Sequence, residues 1–460
     1  GIQDAYERLP SGGGIITLSA GRYVGSPGHQ YPDSFIKIHD PDKPVALVGQ
    51  GYATEIFIPD NYQDNDGDGN RVIDIGGVAV DDPWLSEDTF VDGCLFKDFR
   101  INGNQQNNNG DGDGNTITNA NDGHNIECFG SDNKFVNLWS NNSTGDGIEI
   151  SRYPGSVETD TEANLIHGCT FRDNWEQNVH IHGGTHTKLS DSWLLGEVNN
   201  SCLHLAGGTE TTKASIDGCF IYGSDVEGAV LATSDVAGGG PDATEIQFTN
   251  NYVWGHGRAG VLVDGRHASG ITIDNCHIFE NGQHGIYAQF GADKLTIRDC
   301  EIHDNQWDGV TLSAGVDGNG DGGALTNVRT SGNDIYNNNQ EDSNYRWGIN
   351  VVFKGYGAQN LHIEGDHCFT ESGNPNYREG IKLQEQTAGG TYRNIVVENC
   401  HASGTMNGAV GIQGGVKVYR MADNTPRQPV DVTTVLEATD GAEAYNDGTV
   451  GRYGPAFYDG

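Results

Sequence analysis

Basic residues, methionine and long apolar runs are all scarce in this chain. Of its 460 residues 26 are Lys or Arg against 64 Asp or Glu, a formal charge of -38. That balance excludes binding to nucleic acid or anionic lipid through a basic patch. No apolar run is long enough for a membrane-spanning helix, so no membrane insertion is expected. Lys is especially rare and the acid is spread over the whole length. Such a surface suits high salt, where acidic groups stay hydrated and their mutual repulsion is screened. Nine Cys cannot all pair internally, and no pair has zinc-ligand spacing. Gly1 is not a translation start, so something upstream is expected to have been removed or omitted, a signal peptide or an anchoring segment among the candidates.

What is present is glycine, 68 residues of it, with much Asn and Asp, and a repeat. Residues 271–290 read ITIDNCHIFENGQHGIYAQF, and 295–313 read LTIRDCEIHDNQWDGVTLS. Ile273 aligns with Ile297, Cys276 with Cys300, Ile278 with Ile302, Asn281 with Asn305 and Ile286 with Val310, a period of about 24 residues. Each half holds two short runs with apolar residues at every second position, hence two strands. Gly285 and Gly309 precede the second strand, and Asn281 and Asn305 sit in the turn. One coil of short strands per period, stacked on the next, is an all-β parallel β-helix, right-handed by the crossover rule. Regular coils begin near Cys94. Their second strands centre on Ile126, Ile148, Val179, Leu203, Val230, Val261, Ile286, Val310, Ile349, Ile381 and Val410, a solenoid of about eleven coils. Cys169, Cys219, Cys276, Cys300 and Cys400 share one position and are expected as buried free thiols.

The opening GIQDAYERLPSGGGIITLSAGRYV pairs a short amphipathic helix (Ile2, Ala5, Tyr6, Leu9) with a strand, and the helix caps the open end of the stack. This stretch resembles the start of pectin-lyase-like β-helix proteins, which include polysaccharide lyases and viral tailspikes. After Gly415 the repeat stops. The final AYNDG and GPAFYDG resemble short terminal modules of haloarchaeal tailed-virus structural proteins. Three regions follow: 1–93, cap and first coils; 94–415, β-helix; and 416–460, a small C-terminal β segment.

Two patterns carry chemistry. Asp64, Asp66 and Asp68 precede Gly69; Asn109, Asp111 and Asp113 precede Gly114; Asp317, Asn319 and Asp321 precede Gly322. Oxygen ligands at positions 1, 3 and 5 with Gly at 6 match half a calcium loop of the EF-hand type, so structural Ca²⁺ is expected. The acidic residue of position 12 is missing from all three. The second pattern is a column. Outward positions of successive second strands read Glu127, Glu149, His180, His204, Leu231, Leu262, Tyr287, Thr311, Asn350, Lys382 and Gly411. The first four are ionisable and roughly 5 Å apart, close enough for acid–base work on a glycan. His182, outward again, and Asp146 lie beside them. Trp175, Trp254 and Lys382 are candidate sugar contacts, and the bland alternative for the column is a solvated strand face. Trp254-Gly-His-Gly257 resembles the GHG of polygalacturonase-type hydrolases. The paired Asp those enzymes use is absent, however, and the coil reads Asn174-Trp-Glu-Gln-Asn178.

Two functions follow from the resemblances. One is a receptor-binding spike of a haloarchaeal virus, on the virion surface, commonly a homotrimer, recognising cell-surface polysaccharide or glycoprotein. The other is a secreted polysaccharide lyase or glycoside hydrolase of a halophile.

Overall fold

The structure is a computed structural model that describes residues 1–25, 34–59, 71–77, 89–104, 123–151, 162–196, 200–206, 211–233, 243–264, 268–316, 322–339, 347–370, 380–403, 410–422 and 424. The calcium-loop candidates Asp64, Asp66, Asp68, Asn109, Asp111, Asp113, Asp317, Asn319 and Asp321 lie outside the described residues, as does most of the C-terminal segment. The strands fall into three parallel sheets, and one short helix, Ile2–Glu7, precedes them. Among the described residues, antiparallel pairing joins Gly322–Gly323 to Val310–Val316 and, as a single bridge, Gly77 to Thr89.

The chain divides into two compact units, Gly1–Val226 with Ser234–Asp242, and Glu227–Thr233 with Ala243–Gly460. A coil of the first unit runs Lys134–Val136, Trp139–Asn141 and Ile148–Ser151, one strand to each sheet, before Leu165–His167 re-enters the first sheet. A coil of the second unit repeats the path with Thr272–Asp274, His277–Phe279 and Ile286–Gln289.

The corner between the first and second sheets explains the composition. Its residue has φ near +50 to +70° in coil after coil: Asn137, Gly168, Asp191 and Gly218 in the first unit, Asn250, Asn275, Asp299, Gly332, Gly365 and Asn399 in the second. Only Gly, Asn and Asp adopt that region readily. The next residue points inward, and there Cys169, Cys219, Cys276, Cys300 and Cys400 stand; all nine cysteines are free and buried. Several coils also need close approach before the third strand, where Gly147, Gly228, Gly260, Gly285, Gly309 and Gly348 stand. A Cβ on Gly285 would sit 2.4 Å from the Ile302 side chain, so that position takes no larger residue.

Ile, Val, Leu and Phe at alternate strand positions fill the interior of both units, as the period of two requires. Buried asparagines link the turns. In the second unit Asn281 Nδ2 donates to Asn305 Oδ1 (2.8 Å), and Asn305 Nδ2 to Asn338 Oδ1 (2.7 Å). The N-terminal helix packs on Ser34–Ile38. Its Tyr6 is fully buried, and the hydroxyl accepts from the backbone N–H of His39 and Asp40.

One reading of register is corrected. Ala229 pairs with Val261, Val230 with Leu262 and Leu231 with Val263, so Val230 takes the outward place assigned to Leu231. The run Ala-Val-Leu-Ala is apolar throughout, and without alternation the period of two cannot fix its phase.

Candidate active site

In the first unit the third sheet stacks Ser34–Ile38, Arg71–Ile75, Ile126–Cys128, Ile148–Ser151, Val179–His182 and Leu203–Ala206. Register pairs Lys37 with Asp74, Asp74 with Glu127, Glu127 with Glu149, Glu149 with His180, and His180 with His204. The four sequence candidates therefore form one column, and it continues to Asp74 and Lys37. Those two were legible: Ile-Lys-Ile and Ile-Asp-Ile repeat the apolar–polar–apolar pattern of Ile-Glu-Ile.

The face is not solvated. Lys37, Asp74, Glu127, Glu149 and His204 are all buried despite pointing away from the interior. Turn residues from neighbouring coils close over them. His124 Nε2 lies 2.9 Å from Glu149 Oε2, and His124 Nδ1 3.4 Å from Asp146 Oδ2. Asp146 Oδ2 is also 3.1 Å from His180 Nδ1, while its Oδ1 accepts the Gln177 backbone N–H. Ser151 donates to Glu149 Oε1, and His182 Nδ1 lies 3.5 Å from the same oxygen. The rings of His182, His180 and His204 stack in nearly parallel planes, 5.2 and 5.1 Å apart. Below them Arg71 pairs with Glu127 at 2.5 Å, and Lys37 with Asp74.

Burial and charge drive these groups apart. Burial alone raises the Glu149 carboxyl. The His124 charge and hydrogen bond, with His182 and His180, overturn that and hold it well below the usual range. Burial disfavours charge on His124, but Glu149 and Asp146 outweigh it and raise its pKa to about 10. Glu127 is pushed up to about 7 by burial, against the pull of Arg71. His180 is raised because Asp146 outweighs burial, and His204 is held well below its ordinary value by burial and by His180 and His182. Glu176, half-buried in the turn before Val179–His182, is pushed up to about 7 by burial and then by Asp146.

His124 and Glu176 were missed as members of this centre. His124 and Asp146 stand two residues before the first inward residue of their strands, an offset that a column of strand positions alone does not sample. Glu176 sits in the turn already singled out for lacking paired Asp. Of the proposed sugar contacts, His182 belongs to the cluster at 28 % side-chain exposure, and Trp175 is half-buried next to Glu176. Lys382 and Trp254 belong to the second unit. Lys382 is buried opposite Asn350 in the third sheet, and Trp254 stacks on Phe279 in the second sheet, at 5.8 Å.

The model of the right handed beta helix region matches residues 197–341 and 243–432, together just over half of the sequence. The chain belongs to the right-handed parallel β-helix family. No curated protein sequence matches it. Among solved structures, the A-module of the Azotobacter vinelandii mannuronan C-5 epimerase AlgE6 is 16 % identical, with TM-score 0.52. That alignment covers 95 % of this chain and 93 % of the module. The tailspike protein of E. coli bacteriophage HK620 is 12 % identical (TM-score 0.53, 87 % of this chain and 74 % of that one). The Streptococcus pneumoniae surface protein and adhesin PfbA is also 12 % identical (TM-score 0.51, 90 % and 95 %). These likenesses are of fold. The described residues include no helix long and apolar enough to cross a membrane.

Proposed function

We propose that this protein is an extracellular β-helix that binds a polysaccharide and hydrolyses it at the His124–Asp146–Glu149–His180 centre of the first unit. The observation that carries the reading is a separation of two neighbouring carboxyl groups. Glu176 is pushed up to about 7, so near neutral pH it still holds a proton to donate, while Glu149 is held ionised. Two carboxyls poised in opposite states are what glycoside hydrolysis asks for: an acid to protonate the leaving oxygen, and a carboxylate to act as base or nucleophile. His182, the more exposed histidine, supplies a polar edge for sugar hydroxyls, and Trp175, next to Glu176, a ring. Glu127 and His204 set the field from below and above. The structural likeness to an epimerase and a phage tailspike is compatible with glycan chemistry on this fold.

The second reading, a receptor-binding spike of a haloarchaeal virus that forms homotrimers on the virion surface, is supported by the -38 charge and by the terminal AYNDG and GPAFYDG runs. The two readings overlap, because a spike can carry a hydrolase. Structural Ca²⁺ in the Asp64, Asn109 and Asp317 loops goes with either, and a lower melting temperature in EDTA is its test.

The deciding experiment incubates the purified chain in molar salt with polysaccharide from halophile cell envelopes. New reducing ends without unsaturated uronate support hydrolysis, and their loss in Glu176→Gln assigns the acid. Unsaturated products replace hydrolysis by a lyase. Sedimentation with the glycan and no new ends leaves the spike.

A further inference from the structure

We propose that His277, Glu301 and His303, on the outer face of the second sheet in the second unit, form a site for a divalent transition-metal ion of the Zn²⁺ class. His277 begins the strand His277–Phe279, and Glu301 and His303 bracket the neighbouring strand Glu301–His303. Register sets His277 opposite Glu301 and Phe279 opposite His303, and alternation turns positions 301 and 303 to one side. One donor atom from each of the three residues lies within 4.8 Å of the others.

The surroundings are those a metal site needs. Asp304 Oδ2 sits 2.8 Å from His303 Nδ1, which fixes that ring and leaves Nε2 as the donor. The Tyr336 hydroxyl donates to Glu301 Oε1, which leaves Oε2. Hydrogen bonds of this kind orient metal-ligating imidazoles and carboxylates. The His303 ring is further held between Phe279 and Tyr336, 5.1 and 4.7 Å away in nearly parallel planes. His277 Nε2 is buried and 2.5 Å from Glu301 Oε2, yet it makes no hydrogen bond: the two atoms meet off the hydrogen-bond direction. A cation held by both atoms relieves that mismatch.

Two imidazoles and one carboxylate select Zn²⁺, Ni²⁺ or Cu²⁺ over Ca²⁺ or Mg²⁺. Three protein ligands leave a fourth position for water or an incoming oxygen ligand. The thiols offer no rival site, since all nine are buried.

The test is calorimetric titration of Zn²⁺ into the full chain at neutral pH, with visible absorption of the Co²⁺-loaded protein as a second readout. The expected result is one equivalent bound, with Co²⁺ bands of low coordination number. Binding should be lost in His277→Ala and His303→Ala, and weakened about 10–100-fold in Asp304→Asn. Circular dichroism establishes that each variant is folded; if neither alanine variant folds, the Co²⁺ spectrum of the unaltered chain decides. Absence of binding, an unchanged affinity in both folded alanine variants, or a purely octahedral aquo-Co²⁺ spectrum overturns the proposal.

Discussion

The two units build the same polar centre from the same positions and fill it differently. In the first, His124 and Asp146 precede their strands by two residues, and Asp146 bonds the backbone N–H of Gln177 and the ring of His180 in the next coil. In the second, His284 and Asp308 take those places, and Asp308 bonds the Trp347 backbone N–H (2.8 Å) and the Asn350 amide (3.0 Å). Where His124 meets Glu149, His284 meets the Thr311 hydroxyl at 3.0 Å, and Thr311 donates to Asp308. Gln384 then continues the chain by donating to Asn350. The second centre joins His284, Thr311, Asn350 and Gln384 to one carboxylate, Asp308, with Lys382 buried at the next place in the column. The first stacks Asp74, Glu127, Glu149 and the nearby Asp146 against Lys37, Arg71 and histidines, all at low exposure. Ionised groups without water are costly unless paired, and satisfied amides achieve the same closure at less cost. A fold that closes the second centre around one carboxylate does not need the four of the first for stability. That contrast supports the proposal that the first unit carries the chemistry.

The contrast can be broken at several points. The largest effect is expected from Glu176→Gln, which removes the acid but keeps its shape. Polysaccharide hydrolysis should fall by about 10²–10⁴-fold, with the melting temperature nearly unchanged. Full retention of new reducing ends would sink the assignment of Glu176.

Next comes Glu149→Gln, read by urea unfolding. It strands His124 and His182 against an amide in a buried site, and a loss of about 3–5 kcal/mol is expected. A solvated strand face would tolerate the change, and the burial of the column reverses that. A loss below that of a single neutral hydrogen bond would erase the distinction between the two centres.

The pH dependence sharpens the comparison further. Glu149 titrates well below its ordinary value of 4.5, so its contribution to stability is present above 4.5 and lost as pH falls through the folded value. His124, raised to about 10, contributes fully below its ordinary 6.5, and that contribution disappears as pH rises from 6.5 to about 10. Glu127 and Glu176 act in the opposite sense. With folded values of about 7 against 4.5, each lowers stability as pH rises between those limits. Urea midpoints from pH 4 to 10 should therefore fall on the alkaline side, and Glu127→Gln should flatten the slope between 4.5 and 7. Hydrolysis should likewise decline above about pH 7, as Glu176 loses its proton.

Thr311→Ala is expected to have the smallest effect, a loss of about 1 kcal/mol and no pH signature, because it removes a neutral hydroxyl from the second centre. A loss as large as that of Glu149→Gln would show that charge is not what separates the units.

Much of this was written in the chain. Alternation named the outward residues Glu127, Glu149, His180 and His204, and stacking aligned them. The same logic slipped by one residue at Leu231, where an unbroken apolar run hid the phase. It passed over His124 and Glu176 because turn residues obey no period of two. Asp146 was noticed beside Glu149, but its bond to His180 spans 34 residues and depends on how two turns lie across adjacent coils.

The sequence by itself determined the coil: short alternating strands, corners at Asn, Asp and Gly that tolerate positive φ, and small buried thiols behind them. Those are local properties, set by the steric limits of each residue and its immediate neighbours. Only the tertiary structure decided that the outward column is buried, that His124 and Asp146 close over it, and that Glu149 and Glu176 sit at opposite ends of the carboxyl range. Desolvation and charge pairing depend on which coils stack beside one another, and no single repeat contains that information.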